Sequence, residues 1–138
     1  MEQAIMRSRA FLSRVSKEAK PEDVQVAQDL KDTLVAHEEN CAGLAANMIG
    51  ESKRIIVFKD ELTGGLATMF NPSIIEKDGP YETEEGCLSL DGARHTTRYQ
   101  RIRVTYQDHR FRERTATFIG WTAQIIQHEI DHCMGVLI

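Results

Sequence analysis

What the sequence lacks narrows it quickly. Only three cysteines occur in 138 residues, Cys41, Cys87 and Cys133. An odd count suits free thiols or one metal ligand better than a disulfide framework. No apolar run approaches the roughly 18 residues of a membrane span. The opening stretch MEQAIMRSRAFLSRVSKEAK has no apolar signal core, so a cytoplasmic location is expected. There is no basic run, and the net charge of -4 argues against a nucleic-acid surface. No repeat or low-complexity linker divides the chain, and its length is that of one ordinary domain, so residues 1–138 are read as one.

What is present reads as helices flanking a run of strands. Residues 1–20 suit a short helix with an irregular tail. Pro21 opens a second helix, with Glu22 and Asp23 in the first turn, where acids complement the dipole. Val24, Ala27, Leu30, Leu34 and Val35 recur at helical spacing to about residue 39 and form its core stripe. A Gly/Ala segment, CAGLAANMIG (41–50), follows. RIIVF (54–58) and GLATMF (65–70) then read as buried strands, Asn71-Pro72 as a turn and SIIEK (73–77) as a further strand. RIRVTYQ (101–107) alternates as a half-buried strand should, and Asp108-His109 turns it toward a partner at about 110–118. The last helix is predicted from Trp121 to about Met134, with Gly135 as its C-terminal cap. No regular βαβ alternation appears, so the expected class is α+β with mainly antiparallel pairing around that helix.

The last helix carries the chemistry. His128-Glu129-Ile130-Asp131-His132 is an HExxH pair: histidines four apart lie one turn apart on one face and can aim at one ion. Glu129 lies beside them, within reach of a water held there, as a general base would be. Trp121, Ile125, His128 and His132 share a side, with Gln124 at its edge, which places the histidines in a buried stripe. A further absence matters here. After His132 only CMGVLI follows, without the downstream ligand of the common zinc proteases. Cys133 is ~100° round the helix from His132 and reads as a small core residue. The third ligand is therefore sought upstream, among Cys41, Cys87, the other histidines and the acids. Cys87 is favoured: it follows Gly86, where backbone can approach closely, and thiolate suits divalent iron or zinc. His37, His95 and His109 lie in polar surroundings and read as solvated.

Three segments, CAGLAANM (41–48), EGCLS (85–89) and HEIDH (128–132), together resemble the peptide deformylase family, which shows them in this order. The resemblance implies Cys87, His128 and His132 as metal ligands, with Fe2+ bound or Zn2+ or Ni2+ in its place. It implies removal of the formyl group from N-terminal formyl-methionine, with Glu129 as base and the Leu88 N–H supporting the oxyanion. Gly43, Leu44, Met48 and Gly86 resemble positions beside the substrate backbone. Trp121, Gln124 and Ile125 resemble the methionine pocket, and Arg94 a peptide-binding arginine, with Arg98 a second match. N-formyl-methionyl peptides are the implied partners of a monomer, and an association with ribosomes extends the same substrate class.

The sequence also departs from the family. Met48 stands where the family has a glutamine whose amide donates to the oxyanion, and a thioether has no proton to donate. Cys41 replaces a glycine, Asp91 a usual proline, and Gln124 a usual hydrophobic residue, its amide expected in water at the pocket rim. Two alternatives follow: a deformylase-like hydrolase with weak or altered acyl specificity, and a non-catalytic binder of metal or peptide.

Overall fold

The computed structural model describes residues 1–138. Five strands follow chain order across one sheet, every neighbouring pair antiparallel: β1 (Gly43–Ala45), β2 (Ile55–Lys59), β3 (Leu66–Cys87), β4 (Leu90–Gln107) and β5 (Glu113–Ile119). The helices are α1 (Arg9–Leu12), α2 (Val24–Ala36) and α3 (Gly120–Cys133). This is the α+β arrangement expected, resolved into a single antiparallel sheet. No helix is long and apolar enough to cross a membrane.

The core sits where β2 meets the helices. Ile55, Ile56, Val57 and Phe58 are buried at four successive positions. Successive strand side chains point to opposite faces, so both faces of β2 are covered, and α2 and α3 both pack on it. Leu30, Leu34, Met69, Phe70, Ile102, Val104, Ala123, Ile126 and Cys133 belong to the same cluster. Cys133 is fully buried, as its place on the helix indicated. Gly135 has φ 78, and a Cβ there would stand 2.5 Å from the Ser13 carbonyl oxygen. Its N–H bonds the His132 carbonyl, so the expected C-terminal cap is present.

Several boundaries differ from the sequence reading. Pro21–Asp23 form a 3-10 turn, and the α-helix proper ends at Ala36. Val24 and Val35 are exposed, and the buried stripe runs through Ala27, Leu30, Thr33 and Leu34. Thr33 is tolerated inside because its hydroxyl donates to the Asp29 carbonyl and accepts the Gln3 N–H.

Asn71-Pro72 is no chain reversal. Asn71, at φ 53, lies in a bulge between the Phe70 and Ser73 pairings, and β3 continues through it. Its side chain explains the distortion: Oδ1 accepts from Ala19 N–H, while Nδ2 donates to the Ala19 carbonyl and Gln107 Oε1. Residues 78–100, read as no element, form the far part of the β3–β4 hairpin. β2 pairs only with residues 66–70, so the rest of that edge of β3 is unpaired and can accommodate Pro80.

Candidate metal centre and substrate cleft

The end of this hairpin carries Cys87 to α3. Leu88 and Ser89 make the turn, and the register shifts between Gly86–Ala93 and Cys87–Leu90. Asp91 and Gly92 are the extra residues on β4, and Gly92 takes φ 73, which glycine adopts without strain. A bulge re-aims nearby side chains. Asp91 is exposed at this bulge.

The donor atoms of Cys87, His128 and His132 all lie within 4.8 Å of one another. Cys87 Sγ is 3.3 Å from His132 Nε2, which is 3.1 Å from His128 Nε2. Bonds of about 2.1 and 2.3 Å at tetrahedral angles would hold N and N about 3.4 Å apart, and N and S about 3.6 Å. The three atoms therefore fit a divalent transition metal with small adjustment. His37, His95, His109 and Cys41 are not among them. His95 instead pairs with Glu82 on the exposed hairpin. Cys41 Sγ bonds the Gly43 carbonyl, and burial pushes its thiol up to about 12.

A carboxylate that the sequence reading passed over organises the cluster. Glu85 is 9% exposed and its Oε1 is 2.9 Å from His128 Nδ1. A carboxylate only accepts, so Nδ1 carries a proton and Nε2 is the nitrogen turned to the donor cluster, its lone pair available to an ion once that nitrogen has lost its own proton. Arg98 donates to both oxygens of Glu85 and, through Nη1, to Asp131 Oδ2 at 2.7 Å. Burial alone would raise the Glu85 carboxyl; bonds from His128, Arg98 and Gln124 outweigh it and bring it down to about 2. Burial likewise opposes charge on His128, yet its bond to Cys87 and the charge of Glu129 raise it to about 10. Burial lowers His132 to about 3. The signal for Glu85 was available: it lies two residues before Cys87, and a ligating histidine needs an acceptor on its other nitrogen.

Glu129 is 4% exposed, and its Oε1 has no hydrogen-bond partner in the protein. Burial pushes its carboxyl up to about 7. Gly43 leaves it room: a Cβ there would come within 2.7 Å of Ile125 Cγ2 and 3.2 Å of Glu129 Cγ and Oε2.

A cleft of about 870 Å³ opens over this centre, lined in part by Gly43, Met48, Gly86, Leu88, Trp121, Gln124, Ile125 and Glu129. β1 is an edge strand that pairs with no strand but β2; on its other edge the Gly43 carbonyl takes only Cys41 Sγ and the Ala45 N–H faces only Met48 Sδ, so no backbone competes there with an extended peptide. Leu88 donates no backbone hydrogen bond within the turn. Nothing in the protein stands nearer than 3.6 Å to a Cβ at Gly86.

A family model described as polypeptide deformylase matches residues 2–138. The chain belongs to that family. A peptide deformylase of Clostridium beijerinckii is 53% identical over 135 residues, 97% of each chain. The Met-Ala-Ser-bound crystal structure of class I type b peptide deformylase from Acinetobacter baumannii superposes with TM-score 0.87 at 25% identity. It covers 99% of this chain and 97% of that one. The crystal structure of peptide deformylase from Thermus thermophilus superposes at TM-score 0.85 and 33% identity, over 99% of this chain and 83% of that one. The chain is thus a metal-dependent hydrolase of N-formyl-methionyl peptides, removing the formyl group.

Against the deformylase pattern, some expected residues stand elsewhere. Leu44 is fully buried, so only its backbone could meet a substrate. Trp121 lines the cleft but is 52% exposed, outside the buried stripe assigned to it. Arg94 does not line the cleft; its Nη1 donates to the Asp91 carbonyl at 2.9 Å. Arg98 is 4% exposed and committed to Glu85 and Asp131, so it is neither a solvated charge nor free for peptide. Gln124 does not hold its amide in water: it bonds Glu85 and Tyr81. Met48 Sδ faces the Ala45 N–H at 3.5 Å, and the neighbouring Asn47 amide is spent on the His132 carbonyl at 2.8 Å. Neither side chain replaces the deformylase glutamine.

Proposed function

We propose that Cys87, His128 and His132 hold one divalent ion, Fe2+ in the native enzyme with Zn2+ or Ni2+ able to take the site, and that Glu129 is the general base. One observation carries this reading: three convergent ligand atoms beside a buried carboxylate whose Oε1 has no partner. When bound, the metal supplies Lewis acidity and brings the pKa of a water toward neutrality. Glu129 would accept a proton from the attacking water as its oxygen bonds the formyl carbon, and return it to the leaving amine as the formyl C–N bond breaks and formate departs. A carboxyl pushed up to about 7 suits a group that must both take and give a proton near neutral pH. The Leu88 N–H supports the developing oxyanion. The free edge of β1, at Gly43 and Leu44, pairs with the extended peptide, and Trp121, Gln124 and Ile125 receive the methionine side chain. The setting proposed is a cytoplasmic monomer of one domain, meeting formyl-methionyl chains at the ribosome.

The test is anaerobic turnover of a formyl-Met peptide by protein loaded with Fe2+, beside Glu129→Ala. Turnover that the variant loses is expected. Absent turnover with one metal bound per chain would instead favour the second reading, a paralogue serving another acyl group. Met48 and the committed Asn47 amide motivate that reading.

A further inference from the structure

We propose that Gln124 is a positioning residue for His128, acting through Glu85 from the wall of the substrate cleft. The inference rests on the reading of His128 as a metal ligand. Gln124 Nε2 donates to Glu85 Oε2 at 2.9 Å, and Glu85 Oε1 is 2.9 Å from His128 Nδ1. A residue that lines the cleft is thus two hydrogen bonds from a ligand imidazole. Gln124 and His128 are four residues apart, hence one turn apart on one face of α3. The Glu85 carboxylate spans the two turns, and Arg98 carries the same network to Asp131 on the next. Arg98 neutralises Glu85 and donates to both its oxygens; Gln124 adds a second donor to Oε2, the one that comes from the cleft side.

The amide orientation is determined by its partners. Glu85 can only accept, so the Gln124 NH2 faces it, and the Gln124 carbonyl accepts from Tyr81 OH at 3.2 Å. Both polar atoms are therefore turned into the protein network. What Gln124 offers a bound side chain is its methylenes, which suits an apolar methionine. The polar residue at this point of the pocket serves the metal ligand and does not require a polar substrate.

Gln124→Met keeps the side-chain length and removes the donor. Tyr81→Phe leaves the cleft untouched, because Tyr81 does not line it, and frees the amide to turn. Each variant is compared with wild type by chelator competition for Zn2+, by the visible spectrum of the Co2+-loaded protein, and by thermal unfolding without metal. Gln124→Met is expected to weaken metal binding by about 10–100-fold, the usual effect of losing an outer-shell partner, and to shift the Co2+ spectrum. Tyr81→Phe moves both in the same direction by less, with KM for a formyl-Met peptide unchanged. Wild-type metal affinity and spectrum in both variants would overturn the proposal, whatever happens to KM. If Gln124→Met does not fold, Tyr81→Phe decides alone. If the wild type turns over no formyl peptide while the metal measurements shift as stated, the functional reading fails and the positioning role stands.

Discussion

The two sides of the reaction centre are built to different standards. On the ligand side, Glu85 takes hydrogen bonds from Arg98, Gln124 and His128, and Arg98 reaches on to Asp131. On the oxyanion side, the position that could carry a donor amide holds Met48, whose sulfur faces the Ala45 N–H. Asn47, one residue away, is tied to the His132 carbonyl. One side is fixed by a connected polar network; on the other, the Leu88 N–H, which has no backbone partner, is the donor proposed for the oxyanion. A buried polar network is costly when half satisfied, so the Glu85–Arg98 network marks the His128 end of the ligand side as the part that tolerates least change, whereas His132 Nδ1 is buried without a side-chain partner. Met48 itself is an apolar side chain only 1% exposed, which leaves no unsatisfied polar group at that position.

The comparison can be broken first at Glu129. Glu129→Gln keeps the shape and removes the base, and kcat should fall by about 10²–10⁴-fold. Metal content, measured by atomic absorption, should stay at wild type because the ligands are untouched. Loss of metal together with activity would mean that Glu129 belongs to the ligand side.

Met48→Gln sharpens the contrast from the other direction. An oxyanion donor is worth about 10²–10³-fold in kcat, so a glutamine that reaches the site should raise the rate by up to that factor. Metal affinity should not move. A flat or lower rate would show that this cleft supports its oxyanion in its own way, with Leu88 sufficient.

Glu85→Gln tests the ligand side directly. An amide presents one acceptor and one donor where two acceptors are used, so His128 Nδ1 or Arg98 loses its partner. Metal affinity should drop by about 10–100-fold, measured by chelator competition. An unchanged affinity would mean that α3 packing alone holds His128.

How much of this was legible depended on how local each signal was. His128 and His132 were readable because helix geometry alone puts residues four apart on one face. Cys87 needed the EGCLS pattern, since nothing in spacing brings it to His132, 45 positions later in the chain. The Gly135 cap and the α3 boundaries were local and came through. Arg98 was not readable as a core residue: an arginine is buried only when paired, and its partners lie 13 and 33 residues away. Gln124 was misplaced for the same reason, as its two partners, Tyr81 and Glu85, sit on a hairpin 43 and 39 residues earlier. That hairpin itself was missed because YETEEG and HTTRYQ carry polar residues on both faces, which erases the period-two signal. Met48 is legible as a side chain without a proton to donate, but only the structure shows that the neighbouring Asn47 amide is turned to the His132 carbonyl.

The smallest expected effect concerns protons on the ligand side. Without metal, the His128 imidazole faces Glu85 through Nδ1 and Cys87 and His132 through Nε2, and its pKa is raised to about 10. Below that value Nε2 holds a proton that an incoming ion must displace. Binding therefore releases at least one proton, and the sign is fixed: affinity rises with pH and falls as pH drops. Between about pH 6 and 8 apparent affinity should change by about tenfold per pH unit for one proton displaced. His132, lowered to about 3 by burial, adds nothing in that range because it is already neutral. The measurement is Zn2+ competition at several pH values, with proton release followed in weak buffer. A pH-independent affinity would mean that neither His128 Nε2 nor Cys87 Sγ carries a proton before the ion arrives, and that Glu85 orients the ring without holding it charged.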